Sequence, residues 1–349
     1  MSGGGESVEP ATPRRRPTMA DVAQRAAVSR TLVSLIFSDK PGASKETRKR
    51  VLRAADELNY QPDRAAQLLA RGRSRTIGVL TDVEQTFQAQ MVGRVLDAAE
   101  AAGYDVLLSA SGPARDERKA IEAMLSHRCE GLILFDPLSA SRYLRSVDER
   151  AVLTIVGRRV DPINSVRSAD SSGIAQSVDH LVALGHRRIT HVDGGHQAVS
   201  ADRRHAYVAS MRSHGLAEHI RVVPGTHDEA AGAGAAAHLL REVDLPTAIL
   251  AGNDRSALGL MDELYRAGVS IPGEVSVIGY DDSPLSRLSR IDLTTVRQDS
   301  EALARKALLF TVADLEGVRA GTRTSIIEPQ LIIRGTTAPP RDYSGSARV

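Results

Sequence analysis

Residues 18–75 read TMADVAQRAAVSRTLVSLIFSDKPGASKETRKRVLRAADELNYQPDRAAQLLARGRSR, and three helical patterns are packed into the first part of this stretch. Thr18 caps the N–H groups opened by Ala20 and Asp21, and Asp21 at the third helical position completes a capping-box pair. Val22 and Ala26 then share one face, and this helix stops near Ala26-Ala27. Ser29 caps a second helix over Arg30 to Phe37. Leu32, Val33, Ile36 and Phe37 form its apolar stripe, while Arg30, Thr31 and Ser34 point elsewhere. Asp39-Lys-Pro-Gly is a turn. Ser44 caps a third helix, in which Val51, Ala54, Ala55 and Leu58 recur at three to four residues. Two short helices joined by a tight turn, with a third closing the core, is the helix-turn-helix plan, whose second helix enters the DNA major groove.

A small three-helix bundle that buries only its own apolar faces has the same pattern, and charge separates the two readings. Residues 1–75 carry 15 Lys/Arg against 8 Asp/Glu, and the rest of the chain carries 30 against 35. A basic head on an acidic body suits phosphate contacts and counterion release.

Asp21-Val-Ala, Val28-Ser, Ser44-x-x-Thr47-Arg48 and Leu58-Asn-Tyr-x-Pro62, followed by Arg64-Ala65, resemble the head of LacI/GalR-type transcriptional repressors. The resemblance runs from Thr18 to Leu69. It implies a dimeric operator-binding repressor with an all-α helix-turn-helix head, a hinge helix, and a two-lobed α/β core like that of type I periplasmic sugar-binding proteins. By that likeness Thr18, Ser29, Arg30, Thr31, Ser34, Leu35, Ser44, Thr47, Tyr60, Arg64, Gln67 and Leu69 contact DNA. Arg30 is the best candidate for a guanine, because its fork matches two acceptors. Leu35 stands where many relatives carry a small or basic residue; it either touches a thymine methyl or packs. Asp63 stands where several have Asn, and Ala27 replaces the usual turn Gly.

Pro62 interrupts the helical run, and Asp63 caps a short segment, Arg64 to Arg71, before the linker Gly72-Arg-Ser-Arg75. A helix this short is marginal alone in water. The resemblance makes it the hinge helix, with Leu69 the wedge that prises a base step apart in the minor groove. Ordinary packing of Leu69 is the competing role. The first 17 residues read as a disordered tail ending in Arg14-Arg15-Arg16, which either adds phosphate contacts or merely solvates.

From Thr76 strands alternate with helices. The strands are Thr76 to Thr81, Tyr104 to Leu108, Gly131 to Phe135, Val152 to Val156 and an extended piece Val166 to Asp170. Helical stripes lie between them, on Val92-Val95-Leu96-Ala99, on Ile121-Met124-Leu125 and over 139–149. The alternation restarts near residue 172. Helices at Val178 to Leu184, Arg203 to Met211, 229–242 and Ser256 to Arg266 alternate with strands at Ile189 to Val192, Val222-Val223, Thr247 to Leu250 and Val275 to Ile278. About ten strands in repeated β–α units predict two doubly wound lobes with parallel sheets. The division expected is 63–75 for hinge and linker, 76–172 plus 299–325 for one lobe, 173–297 plus 326–340 for the other, and 341–349 for a tail.

Ligands bind such sheets at the carboxyl ends of the strands. Polar residues there are Asp82, Gln85 to Gln88, Asp136, Asp170, Asp193-Gly-Gly195, Asn253-Asp254, Tyr280-Asp281-Asp282 and Gln298. The resemblance continues through Val178-x-His180 to Ile189, Ala251-x-Asn253-Asp254, Val275 to Asp282 and Leu293 to Gln298. It implies that Phe87, Asp170, Arg203, Asn253, Asp281 and Gln298 contact a sugar, sugar phosphate or nucleoside-like effector. Carboxylates accepting paired hydroxyls, with an Arg donor, suit such a polyol. Asp254 could simply cap the helix after it. Gln85-Thr-Phe-Gln88 departs from the family's common Asn-Pro-Phe-Phe.

A length of 349 residues, 42% apolar and 25% charged, suits a globular chain of two or three domains. The single Cys129 excludes an intrachain disulfide; no membrane span is expected, and residues 1–17 lack the apolar core of a secretory signal. Cytoplasmic location, a homodimer or higher oligomer, and no cofactor are expected. Gly232-Ala-Gly234 lies inside an Ala-rich helix and not after a strand, so it is no dinucleotide loop. His186, His191 and His196 fit no metal spacing, and no catalytic motif appears. The alternatives are a solute-binding protein, which the basic head opposes, and an enzyme on an α/β scaffold.

Overall fold

The computed structural model describes residues 17–38, 40–61, 73–112, 115–318 and 321–341. The hinge segment expected from Asp63 to Arg71, with Arg64, Gln67 and Leu69, lies outside the described residues. So do residues 1–16, Asp39 and residues 342–349. The chain forms two compact units, Met1–Ser74 and Arg75–Val349.

The first unit consists of α1 (Met19–Arg25), α2 (Arg30–Phe37) and α3 (Lys45–Glu57). Helices of this length do not persist alone. They hold because Val22, Ala26, Val33, Ile36, Val51, Ala54 and Ala55 bury against one another, each Val or Ile worth roughly 1.5–3 kcal/mol. The Thr18–Asp21 capping box is formed, and Ser29 and Ser44 each accept a backbone N–H at the start of their helix.

Helix α1 ends in a Schellman turn. The N–H of Val28 donates to Ala23 O at 3.0 Å and that of Ala27 to Gln24 O at 3.2 Å. The turn holds Ala27 at φ +50°, a left-handed conformation that costs a residue with a Cβ on the order of 1 kcal/mol. Ala27→Gly is expected to stabilise the head by about 0.5–1 kcal/mol, allowing for the extra chain entropy of Gly. It should be read as severalfold slower amide exchange in α1 and α2; faster exchange would show that the turn is unstrained.

The second unit has two six-stranded sheets. The first, in the order β11-β5-β4-β3-β1-β2, is built from β1 (Thr76–Asp82), β2 (Asp105–Ser111), β3 (Gly131–Phe135), β4 (Val152–Val156), β5 (Asn164–Ser168) and β11 (Thr324–Ile327). The second, in the order β12-β10-β9-β8-β6-β7, contains β6 (Ile189–Val192), β7 (Arg221–Val223), β8 (Ala248–Ala251), β9 (Ser276–Asp281), β10 (Thr294–Arg297) and β12 (Gln330–Ile332). The helices are α4 (Thr86–Ala101), α5 (Glu117–Ser126), α6 (Ser141–Asp148), α7 (Asp170–Ala183), α8 (Ala198–Ser213), α9 (Glu229–Leu239), α10 (Asp254–Arg266) and α11 (Ser300–Leu315).

Three differences from the expected pattern have physical causes. The described residues hold twelve strands rather than about ten, because β11 and β12 are short edge strands contributed by the chain's return. Only β12 runs antiparallel to its neighbour, β10. The extended piece expected through Asp170 ends at Ser168, and Asp170 opens α7, which is about twice as long as its apolar stripe suggested. Helix α7 packs through Ile174, Val178 and Leu181 on the second sheet. Helix α11 returns through Leu303, Ala304 and Leu308 to the first. The chain therefore passes between the sheets at residues 168–170, 297–300 and 327–330.

Candidate functional site

In the first unit, Arg30, Thr31 and Ser34 are exposed on α2. Leu35 is half-buried and lies over Gly42, where a Cβ would sit 3.4 Å from its Cδ1. The hydroxyls of Thr18, Ser29 and Ser44 all serve as helix caps, and Thr47 Oγ1 lies 2.9 Å from Ser44 Oγ. Tyr60 packs edge-on against Phe37 at 5.7 Å between ring centres. The capped starts of α2 and α3 point backbone N–H groups outward, which suits phosphate oxygens. Arg48 and Arg50 reach the carbonyls of Ile36 and Ala26 and brace α3 against the other two helices.

In the second unit the polar residues at the carboxyl ends of both sets of strands meet. Arg203, on α8, donates from Nε to Asp170 Oδ1 at 2.8 Å and from Nη1 to Gly252 O at 2.8 Å. Its guanidinium lies 3.6 Å from the centre of the Tyr280 ring. Burial by itself would pull this guanidinium down, but Asp170, and with it Tyr280 and Asp281, hold it above its ordinary value. Arg203 and Asp170 are only 5% and 6% exposed, so neither charge has water to fall back on.

Two glutamines hold two further carboxylates. Gln298 accepts from Ser168 Oγ at 2.6 Å and donates from Nε2 to Asp281 Oδ1 at 2.8 Å. Gln88 accepts from Asp82 N at 2.7 Å and donates from Nε2 to Asp136 Oδ2 at 3.5 Å. A Cβ on Gly157 would come within 1.7 Å of Asp136 Oδ1, so only glycine fits beside that carboxylate. Burial raises Asp281 to about 8 and Asp136 to about 7; the Arg203 charge opposes this in both.

Asn253 is the N-cap of α10, accepting from Ser256 N at 2.9 Å. This corrects the capping role considered for Asp254, which instead accepts from Ser283 N and Thr295 Oγ1, each at 2.6 Å. Phe87 is buried in the first sheet's core cluster with Met91, Ile133 and Phe135, next in the chain to Gln88. His227 was not anticipated. It follows β7 by a few residues, and the rule that singled out polar groups after strands would have found it had it been carried past Val223. Burial drives it down to about 3. His186 and His191 are also buried, bonded to Thr247 and Ala338 and to the Leu250 carbonyl respectively.

A latch also crosses between the two sheets' elements. Arg255, at the start of α10, pairs with Glu229 and donates to Glu84 O at 2.8 Å, in the loop after β1. Gln85 Nε2 donates to His227 O at 3.4 Å, and Asn253 Nδ2 to the same oxygen at 3.3 Å. Arg255→Ala removes the best-formed of these bonds. A modest loss is expected, roughly 1–3 kcal/mol for a charged hydrogen bond, seen as a larger radius of gyration in X-ray scattering without ligand. An unchanged scattering curve would mean that the latch does not hold the two halves together.

Residues 18–63 match the model for bacterial regulatory proteins of the lacI family, and residues 178–337 match a periplasmic binding protein-like domain. The chain is 32% identical over 331 residues to the HTH-type transcriptional regulator GalR of Escherichia coli strain K12, covering 93% of this chain and 96% of that one. It is 31% identical over 345 residues to the lactose operon repressor of the same strain, covering 95% and 93%. A lac repressor dimer bound to operator and the anti-inducer ONPF superposes with a TM-score of 0.82 at 28% identity, over 93% of this chain and all of that one.

Proposed function

This chain belongs to the lacI family of bacterial regulatory proteins, and from that premise we propose how its own residues perform the family's work. It is a sequence-specific DNA-binding repressor that acts as a dimer on operator DNA, and its hold on the operator is set by a small-molecule effector bound between the two halves of the core. Its relatives are transcriptional regulators and not enzymes, and we assign this chain no catalytic activity. No helix among the described residues is long and apolar enough to cross a membrane. We place the protein in the cytoplasm, where its DNA is.

The exposed face of α2 reads the bases, with Arg30 on a guanine and Thr31 and Ser34 beside it, while the starts of α2 and α3 sit on phosphates. Asp170, Arg203, Asn253, Asp281 and Gln298 hold the effector. The observation that carries this reading is the Arg203–Asp170 pair, buried where the ends of both sheets converge. Effector contacts with Asp281 and Gln298 act at residues 281–298, next to the 297–300 crossing, so they bear directly on how the halves sit. To move the operator equilibrium the effector must favour one arrangement by several kcal/mol.

The test is selection of DNA from a random duplex pool by the full chain, followed by a screen of polyols for release or tightening. Failure to enrich any sequence would overturn the reading. Leu69→Ala is expected to weaken specific operator binding by roughly 10- to 100-fold, the loss of a few kcal/mol of kink-dependent contact, with non-specific binding within a few-fold. Equal losses on both would remove Leu69 from the wedge role.

A further inference from the structure

We propose that Glu130 and Glu316 are positioning residues that hold Arg75 as a fixed joint, and that through this joint a rearrangement of the effector cleft is passed to the chain leading to the DNA-binding head. This rests on the reading of the cleft as the effector site.

Arg75 opens the second unit, so the chain that comes from the head joins the core here. Its N–H donates to Glu130 Oε1 at 3.0 Å, and its carbonyl accepts from Asp105 N at 2.9 Å. Its guanidinium lies 3.5 Å from Glu316 Oε1 and 5.4 Å from the centre of the Tyr104 ring. The holding groups are themselves anchored. Glu130, just before β3, donates from its own N–H to Thr76 O at 2.9 Å. The buried Tyr104 donates from Oη to Glu316 Oε1 at 2.7 Å.

The backbone of the joint is set rather than loose. Arg75 has φ +46°, a left-handed conformation that costs a residue with a Cβ on the order of 1 kcal/mol. Such a conformation persists only where its surroundings over-determine it. The ion pair with Glu316 alone could not do this, because its side chains are 46% and 41% exposed. The bonds to the Arg75 N–H and C=O can, since they fix the peptide planes on both sides of its Cα. The direction in which the chain leaves toward Ser74 is therefore set by the first sheet.

Helix α11 ties the joint to the cleft. It begins just after Gln298, which links Ser168 to Asp281, and it ends just before Glu316. Between these ends it is clamped. Thr311 Oγ1 donates to Thr154 Oγ1 at 2.9 Å, and Asp314 accepts from Asn164 Nδ2 at 2.8 Å. A Cβ on Gly131 would come within 2.6 Å of Thr311 Cγ2, so the helix lies directly on β3. The first sheet, α11 and Arg75 thus move as one piece when the cleft rearranges. A looser joint would absorb that motion in its own φ and ψ.

The test is a double-mutant cycle on operator affinity, using the full chain and the DNA sequences it selects. Gln298→Ala cuts the link from Ser168 to Asp281 and serves as the cleft perturbation, so the experiment needs no ligand. In the parent it should change operator affinity by about tenfold or more. In a Glu130→Ala/Glu316→Ala background the change should shrink to about twofold or less. Glu130→Gln/Glu316→Gln keeps acceptors for Arg75 N and Tyr104 Oη and should restore the full response. Urea unfolding and non-specific DNA binding are followed throughout; a merely structural role would lower the unfolding midpoint and leave the response intact. If the double Ala variant does not fold, Arg75→Gly takes its place, because Gly accepts φ +46° but lets the joint swing. A response as large in the weakened background as in the parent overturns the joint and leaves the effector site standing. So does a Gln pair that behaves like the Ala pair. No response to Gln298→Ala in the parent removes the cleft from control of the operator, and the joint falls with it.

Discussion

Arg203→Ala is expected to lower the stability of the core by about 3–5 kcal/mol, the range for removing one partner of a buried ion pair, and to abolish the effector response. Both follow from one geometry. The substitution leaves Asp170 buried at 6% exposure without its partner, strips the donor from Gly252 O and uncovers the Tyr280 ring. Arg203→Lys separates the two effects. It keeps a charge near Asp170 but cannot span Asp170, Gly252 O and the ring face with one planar fork. Lys should therefore recover part of the stability and little of the response. Urea unfolding at pH 7 and operator release in the same preparations measure the pair. An Arg203→Ala protein with an unchanged unfolding midpoint would show that the pair is not what anchors α7 to α8.

Stability is expected to fall as pH rises from about 6.5 to about 8. Asp136 and Asp281 ionise near 3.8 when unfolded, but burial holds their protons to about 7 and about 8 in the folded protein. Over that interval the folded chain binds more protons than the unfolded chain, so each rise in pH favours unfolding. His191 and His227 work in the opposite sense. Burial lowers them to about 4 and about 3 from 6.5, so they cost stability as pH falls below 6.5. The two pairs offset one another below 6.5 and leave the carboxylate decline uncovered above it. Asp281→Asn keeps the acceptor for Gln298 and removes the charge. It should flatten the decline and stabilise the protein at pH 9 by on the order of 1–3 kcal/mol, while weakening effector binding. A variant whose pH profile parallels the parent's would show that Asp281 does not titrate there.

Much of the fold could be read because its cues are local. Capping residues and a 3.6-residue apolar stripe placed α2 at Arg30–Phe37, and short runs rich in Val, Ile and Leu placed β3, β4 and β6 at their observed bounds. Helix α11 was harder. Leu303, Ala304, Ala307, Leu308 and Phe310 are buried on a helix that is apolar over much of its surface, so no stripe marks it. Strands β11 and β12 have only four and three residues and lie at sheet edges, with little pattern to show.

The sequence by itself determined the order of elements up to β10, the basic head, the doubly wound core and a set of polar residues after strands, because each depends on neighbours within a few positions. Which of those residues are already committed to one another was decided only by the tertiary structure. Gln298 meets Ser168 across 130 positions, Arg255 meets Glu84 across 171, and His227 Nε2 is left with no partner. Hydrogen-bond choice among buried groups depends on distance and orientation after packing, and no local pattern carries that information.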